Sequence, residues 1–229
     1  MRGVILAGGN GTRLRPLTYI TNKHLLPVYD KPMILYPIQT LKEMGVTDIL
    51  ITSGGNHLGG FIDFLGDGSD YGVNLTYKVQ KEAGGIAQAL LLAKDFVGEH
   101  FAVILGDNIF EDNLFGESLI PPKGCGIVLK EVEDASRFGV FHNGKIIEKP
   151  TNPESKLAVT GLYFYTKEIF LFIEKLKPSG RGELEITDVN NWCLDNLEMT
   201  TTIFDGFWSD AGTHESLLNS SKWAYDKSR

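Results

Sequence analysis

Val4-Ile5-Leu6-Ala7-Gly8-Gly9-Asn10-Gly11-Thr12-Arg13-Leu14-Arg15-Pro16 decides how this chain is read. A short apolar run closed by paired glycines is a buried strand entering a turn. Glycines let backbone N–H groups approach an anion closely. Arg13 then offers a planar fork of donors suited to phosphate oxygens, and Lys23 and Lys31 follow soon after. Residues 1–31 hold five Lys or Arg against one Asp, a local excess of positive charge in a chain whose formal net charge is −7. A cationic patch confined to one end of an acidic protein marks a site for an anion, here a polyphosphate. The loop is not a Walker A motif, because no Gly-Lys-Ser/Thr follows, and it lacks the third glycine of a dinucleotide fingerprint.

Outward from that loop, strand and helix signals alternate. Residues 3–7, 48–52, 75–79 and 101–105 read as short apolar strands. Residues 34–44, 58–65 and 86–93 read as helices between them, the first with Ile34, Ile38 and Leu41 on one face and Gly45 as its stop. This rhythm predicts an α/β fold: a mostly parallel, mixed sheet flanked by helices. Ligands of such sheets sit beyond the carboxyl ends of the strands. Gly8 to Arg13 and Gly106-Asp107 both fall there, so they are expected to face one crevice. The second half is richer in strands, at 126–130, 139–141, 145–147 and 159–165, with helices at 168–176, 185–196 and 214–225. Residues 66–72 and 121–126 read as surface loops, and 112–122 give no clear signal. With 229 residues, 42% of them hydrophobic, a single domain over 1–229 is expected.

Composition removes several function classes. A pI near 5.3 argues against nucleic-acid binding, which needs a basic face, but leaves a nucleotide ligand open. Cys125 and Cys193 form no CxxC and sit near no histidine pattern, so buried reduced thiols are expected. The N-terminus enters a strand at once and no run approaches 18 apolar residues, so a cytoplasmic protein with no membrane partner is expected. The five histidines show no HExxH spacing and no GxSxG occurs, so zinc hydrolysis and triad chemistry are poor fits.

Other stretches carry chemistry of their own. Asp107 at a strand end and Asp210 in Trp208-Ser209-Asp210-Ala211-Gly212-Thr213 come from separate elements near the phosphate loop. Mg²⁺ takes one or two carboxylates and completes its shell with phosphates and water, although either Asp alone also suits a helix cap or turn. Gln80 has a donor and an acceptor for a base edge, and Gly84-Gly85 open a helix whose free N–H groups suit an anion or base carbonyl. Glu148-Lys149-Pro150 reads as a solvated strand end with its two charges on opposite faces. Arg181-Gly182-Glu183-Leu184-Glu185-Ile186-Thr187-Asp188 reads as a charged helix start with a structural or subunit-contact role. The aromatic run 163–165 reads as core plus one wall of the site.

Together, Leu6 to Leu14, Lys23-His24-Leu25-Leu26-Pro27-Val28, Lys31-Pro32-Met33-Ile34, Gly85-Ile86-Ala87-Gln88-Ala89, Leu105-Gly106-Asp107-Asn108-Ile109-Phe110, Ala158-Val159-Thr160-Gly161-Leu162-Tyr163, Arg181 to Asp188 and Asp210-Ala211-Gly212-Thr213-His214 carry a likeness over nearly the whole chain. They resemble the sugar-1-phosphate nucleotidyltransferases, and within them the branch that uses dTTP and glucose 1-phosphate. The resemblance implies a Rossmann-like, glycosyltransferase-A-like fold, Mg²⁺ as cofactor, and a homo-oligomer. By position it implies Arg13, Lys23 and Lys149 as the cations on phosphates. It implies Gly8, Gly9, Gln80 and Gly85 around the nucleotide, and Asp107 and Asp210 as metal ligands. Gly139, Glu148 and Val159 then line the sugar pocket, so the N-terminal half holds nucleotide and the C-terminal half holds sugar phosphate. Two departures stand out. Phe138 occupies a place where the family often has Tyr, and the chain stops before a C-terminal extension that longer members use for a regulatory site and a tetramer contact. UTP or another sugar phosphate, and a non-catalytic sugar-nucleotide sensor, are the competing readings. A glycosyltransferase of related fold is disfavoured, since Asp107-Asn108-Ile109 is no Asp-x-Asp.

Overall fold

The computed structural model describes residues 1–111 and 124–229. β1 (Arg2–Leu6) lies between β4 (Asp48–Gly54) and β6 (His100–Leu105), parallel to both, and β5 (Asn74–Gln80) extends the block beyond β4. β2 (Pro27–Val28) and β3 (Lys31–Pro32) form a separate small hairpin. β1 alternates cleanly: Val4 and Leu6 enter one core cluster, Ile5 and Ala7 the other. A strand apolar on both faces is a central strand covered on both sides. α1 (Leu35–Glu43) and α2 (Gly55–Leu65) cover one face through Ile38, Leu41, Phe61 and Leu65. α3 (Ile86–Leu91), with α4 (Ile169–Ile173) and α5 (Ile186–Asn196), covers the other through Leu90, Phe170 and Val189.

The sheet changes direction at β11 (Leu157–Thr166), which runs antiparallel to β6. The register of β11 against β8 (Cys125–Glu131) shifts between Val159 and Tyr163. At Ala158 it also pairs with β9 (Gly139–His142), which carries β10 (Lys145–Glu148). β12 (Met199–Ile203) adds to β8 in parallel. A short ribbon of β7 (Asn108–Phe110) and β13 (Trp208–Asp210) stands apart, and α6 (His214–Lys227) follows it.

The expected elements are present with shifted ends. α2 begins at Gly55 rather than 58, α4 and α3 are shorter than expected, and β10 takes in Glu148. The 66–72 loop contains a 3₁₀ turn, Ser69–Tyr71. β12 and the β7–β13 ribbon were not expected from sequence. The unassigned stretch 112–122 and the start of the 121–126 loop lie outside the described residues. Cys125 and Cys193 are buried free thiols in one cluster. No helix among the described residues is long and apolar enough to cross a membrane.

Candidate active site

The carboxyl ends of β1, β5 and β6 open into a cleft of about 740 Å³. Every site position that the resemblance implies lines it, whereas Lys31 and Gly84 are not among its lining residues. Gly8, Gly9, Arg13 and Lys23 form one wall, Gln80 and Gly85 a second. Asp107 and Asp210 lie between these and Gly139, Glu148, Lys149 and Val159.

The two acids meet because β13 pairs with β7, setting Asp210 opposite Asn108, while the Ala211 amide donates to the Asp107 carbonyl at 2.9 Å. The backbone of Gly212 packs between them. A Cβ there would lie 2.7 Å from Asp210 Oδ1, 2.8 Å from Arg13 Nη2 and 3.4 Å from Asp107 Oδ2. Lys23 Nζ donates to Asp107 Oδ2, and Arg13 Nη2 stands 4.0 Å from Asp210 Oδ2. Burial opposes the charge on Asp107, but Lys23, with help from the Asn108 amide, holds its carboxyl well below the ordinary range. Asp210 goes the other way: burial and the neighbouring Asp107 charge raise it, and Lys23 and Arg13 only partly compensate. His24, next to Lys23, is buried with Nδ1 2.7 Å from Asn22 Oδ1. Burial, reinforced by Lys23, lowers its pKa to about 3, so it packs as a neutral ring against Gly106.

On the β5 side, Gln80 is buried and lies across Gly8, where a Cβ would come within 2.4 Å of Gln80 Oε1. Gly85 has φ 102° and backs onto the Leu184 carbonyl, a conformation and a contact that only glycine tolerates.

On the far side, Gly139 pairs with Glu148 across β9 and β10. Thr187 Oγ1 donates to Glu148 Oε2 at 2.5 Å, and Arg181 Nη2 reaches Glu148 Oε1 at 3.2 Å. The expectation that Glu148 and Lys149 face opposite ways is corrected here. β10 ends at Glu148, and Lys149 takes φ 44°. That left-handed residue breaks the strand alternation, so both side chains line the cleft, Lys149 Nζ 3.3 Å from Glu148 Oε1. Residues 181–188, read from sequence as a structural or subunit-contact stretch, also reach the cleft, which Glu183, Ile186 and Thr187 line. Asn108 carries a role that its type and spacing do not disclose. Its Oδ1 accepts from Gly161 N and Trp208 Nε1, both at 2.8 Å, and so plugs the register shift of β11. Its place directly after Asp107 was the available signal.

A glycine loop at the end of β1 with Arg13 and Lys23 beside it, two acids and a second cationic pocket on one α/β sheet define a nucleotidyl-transferring enzyme. Residues 2–226 match the nucleotidyl transferase family, and the chain belongs to it. Among curated relatives, the glucose-1-phosphate thymidylyltransferase of Neisseria meningitidis is 44% identical over 95% of this chain and 80% of its own length. That of Mycolicibacterium smegmatis is 44% identical over 96% and 81%. A Bacillus anthracis structure assigned to the same activity and solved with sucrose superposes with TM-score 0.89 at 48% identity, covering 99% of this chain and 96% of that one. A UDP-glucose pyrophosphorylase bound to UDP-glucose superposes with TM-score 0.84 at 26% identity, covering 100% and 99%.

Proposed function

We propose that this enzyme transfers a deoxythymidylyl group from dTTP to glucose 1-phosphate, releasing pyrophosphate and forming dTDP-glucose. The observation that carries the reading is one cleft with Arg13, Lys23 and two acids at one end and Lys149 with Glu148 at the other. That is the arrangement two phosphorylated substrates need. Relatives named for this activity at 44% identity support the choice of substrates.

The nucleophile is a phosphate oxygen of the sugar phosphate, ionised near neutral pH, so no general base is required. His24, neutral and buried, is not called on. The obstacle is repulsion between two anions, about 4 kcal/mol per pair of charges 4 Å apart at an effective dielectric of 20. Arg13 and Lys23 hold the triphosphate, Lys149 holds the sugar phosphate in line, and the first two stabilise charge developing on pyrophosphate. Arg181, 3.2 Å from Glu148, adds positive charge at the rim. Glu148 accepts from sugar hydroxyls and fixes which face is presented. Asp107 and Asp210 fit Mg²⁺: a buried carboxylate and a half-buried one flank Gly212, and Asp210 is left under-compensated. When bound, the ion neutralises phosphate charge as a Lewis acid. The proposal includes the division of the chain into a nucleotide half and a sugar-phosphate half, a cytoplasmic setting, and a homo-oligomer as the resemblance implies.

UTP in place of dTTP is a second reading, favoured by the UDP-glucose-bound neighbour. Pyrophosphate release across dTTP, UTP and dCTP, each with several hexose 1-phosphates, separates them; the expected best pair is dTTP with glucose 1-phosphate. In that assay Arg13→Ala is expected to lower kcat by about 10²-fold. Unchanged turnover removes Arg13 from the mechanism.

A further inference from the structure

Gln88 lies outside the cleft wall, yet it controls what the wall presents. Its Oε1 accepts two hydrogen bonds, from the Gly84 amide at 2.9 Å and from Gln80 Nε2 at 3.1 Å. The first of these donors is a backbone N–H, which cannot change its polarity, so Gln88 is fixed with its oxygen toward Gly84. That leaves Gln80 one compatible orientation: its NH₂ toward Gln88 and its carbonyl oxygen toward the cleft. The opposite flip would set two amide oxygens against each other in a half-buried site, at the cost of an unpaired polar group. Both amides lie against glycines. A Cβ at Gly84 would fall 2.5 Å from Gln88 Nε2, and one at Gly8 would fall 2.4 Å from Gln80 Oε1. The row Gly84, Gln88, Gln80, Gly8 therefore holds both amides in place and leaves an acceptor bare at the cleft.

From this the geometry points to Gln88 as a positioning residue that sets base choice, by locking Gln80 as a hydrogen-bond acceptor so that the site takes pyrimidines with an N3–H, thymine or uracil, and rejects cytosine. The inference rests on the reading of Gln80 as the base contact. Thymine and uracil carry a donor at N3, whereas cytosine carries a lone pair there, which would face the Gln80 oxygen. A site built around one such hydrogen bond discriminates sharply against an analogue that lacks the donor.

The test is calorimetric titration of dTTP and dCTP, with Mg²⁺, into the wild type and into Gln88→Met, Gln88→Glu and Gln80→Met. The wild type is expected to bind dTTP at least about tenfold more tightly than dCTP, the worth of one well-made hydrogen bond. Gln88→Met frees the Gln80 amide and is expected to reduce that ratio by about fivefold or more. Gln88→Glu still accepts from both donors and is expected to retain it. If Gln88→Met weakens both nucleotides equally, Gln88 is merely structural and the inference falls; it falls equally if the wild type shows no preference. A preference that survives Gln80→Met overturns the base-contact reading itself. A preference lost in Gln80→Met but kept in Gln88→Met overturns only the role given to Gln88.

Discussion

Lys149 condenses the logic of the site into one residue. A lysine at φ 44° sits where a side chain costs about 1 kcal/mol relative to glycine, and such outliers gather where function requires a re-aimed group. The turn aims the ammonium into the cleft beside Glu148. Lys149→Gly is therefore expected to raise Tm by about 2–4 °C while turnover with glucose 1-phosphate collapses. A fall in both would mean the conformation is not strained, as thermal melts and a pyrophosphate assay on one preparation reveal. At this scale the sequence disclosed residue types well. The glycines and Asp107 stand out at strand ends, Arg13 by following the glycine loop, and Asp210 as a second acid late in the chain. It hid orientation: period-2 alternation assigned Lys149 to the wrong face, because a single positive φ leaves no trace in the spacing of apolar residues. Arg181 was equally opaque, since acids in a first helical turn are expected from the helix dipole alone.

Between residues and fold, the β7–β13 ribbon and the register shift of β11 together hold the two acids in place. Three residues on each strand bring Asp107 and Asp210 together, and Asn108 ties the ribbon to β11 through Gly161 and Trp208. Replacing the amide with an isosteric apolar group strands two donors, each costing about 1–3 kcal/mol. Asn108→Leu is thus expected to lower Tm by about 5–15 °C and to reduce activity as Asp210 loses its register. An unchanged melt would show that water takes over both bonds. Such ribbons were illegible in advance. Three residues give no measurable period, and the partner lies far along the chain. Met199–Ile203 escaped notice for a related reason: its threonines carry strand propensity, but with so few buried positions there is no apolar alternation to detect. β1, β4 and β6 were legible because each is buried on both faces and closed by glycine.

The molecule as a whole carries a cationic loop on an acidic body and a buried histidine beneath it. Unfolded chain protonates His24 near its ordinary 6.5, whereas the folded protein does so only at about 3. Across that window the unfolded state binds the extra proton. The stability held by His24 is therefore complete above pH 6.5 and drains as pH falls toward 3, by at most about 1.4 kcal/mol per unit. Asp107, held low, adds its own loss only below its unfolded value of 3.8. Asp210, held high, gains stability as pH falls through the carboxylate range. Melts at pH 7.5, 6.5 and 5.5 are expected to show a decline below 6.5 that His24→Gln flattens, and parallel declines in the two proteins would refute the assignment. The most direct measurement on the central claim, that the glycine-loop cations and two acids distant in sequence converge on one triphosphate and its magnesium, is pyrophosphate release from dTTP and glucose 1-phosphate by Asp107→Asn with Asp210→Asn. The account predicts loss of Mg²⁺-dependent turnover in a protein that still melts cooperatively. Wild-type turnover in that double variant would contradict it.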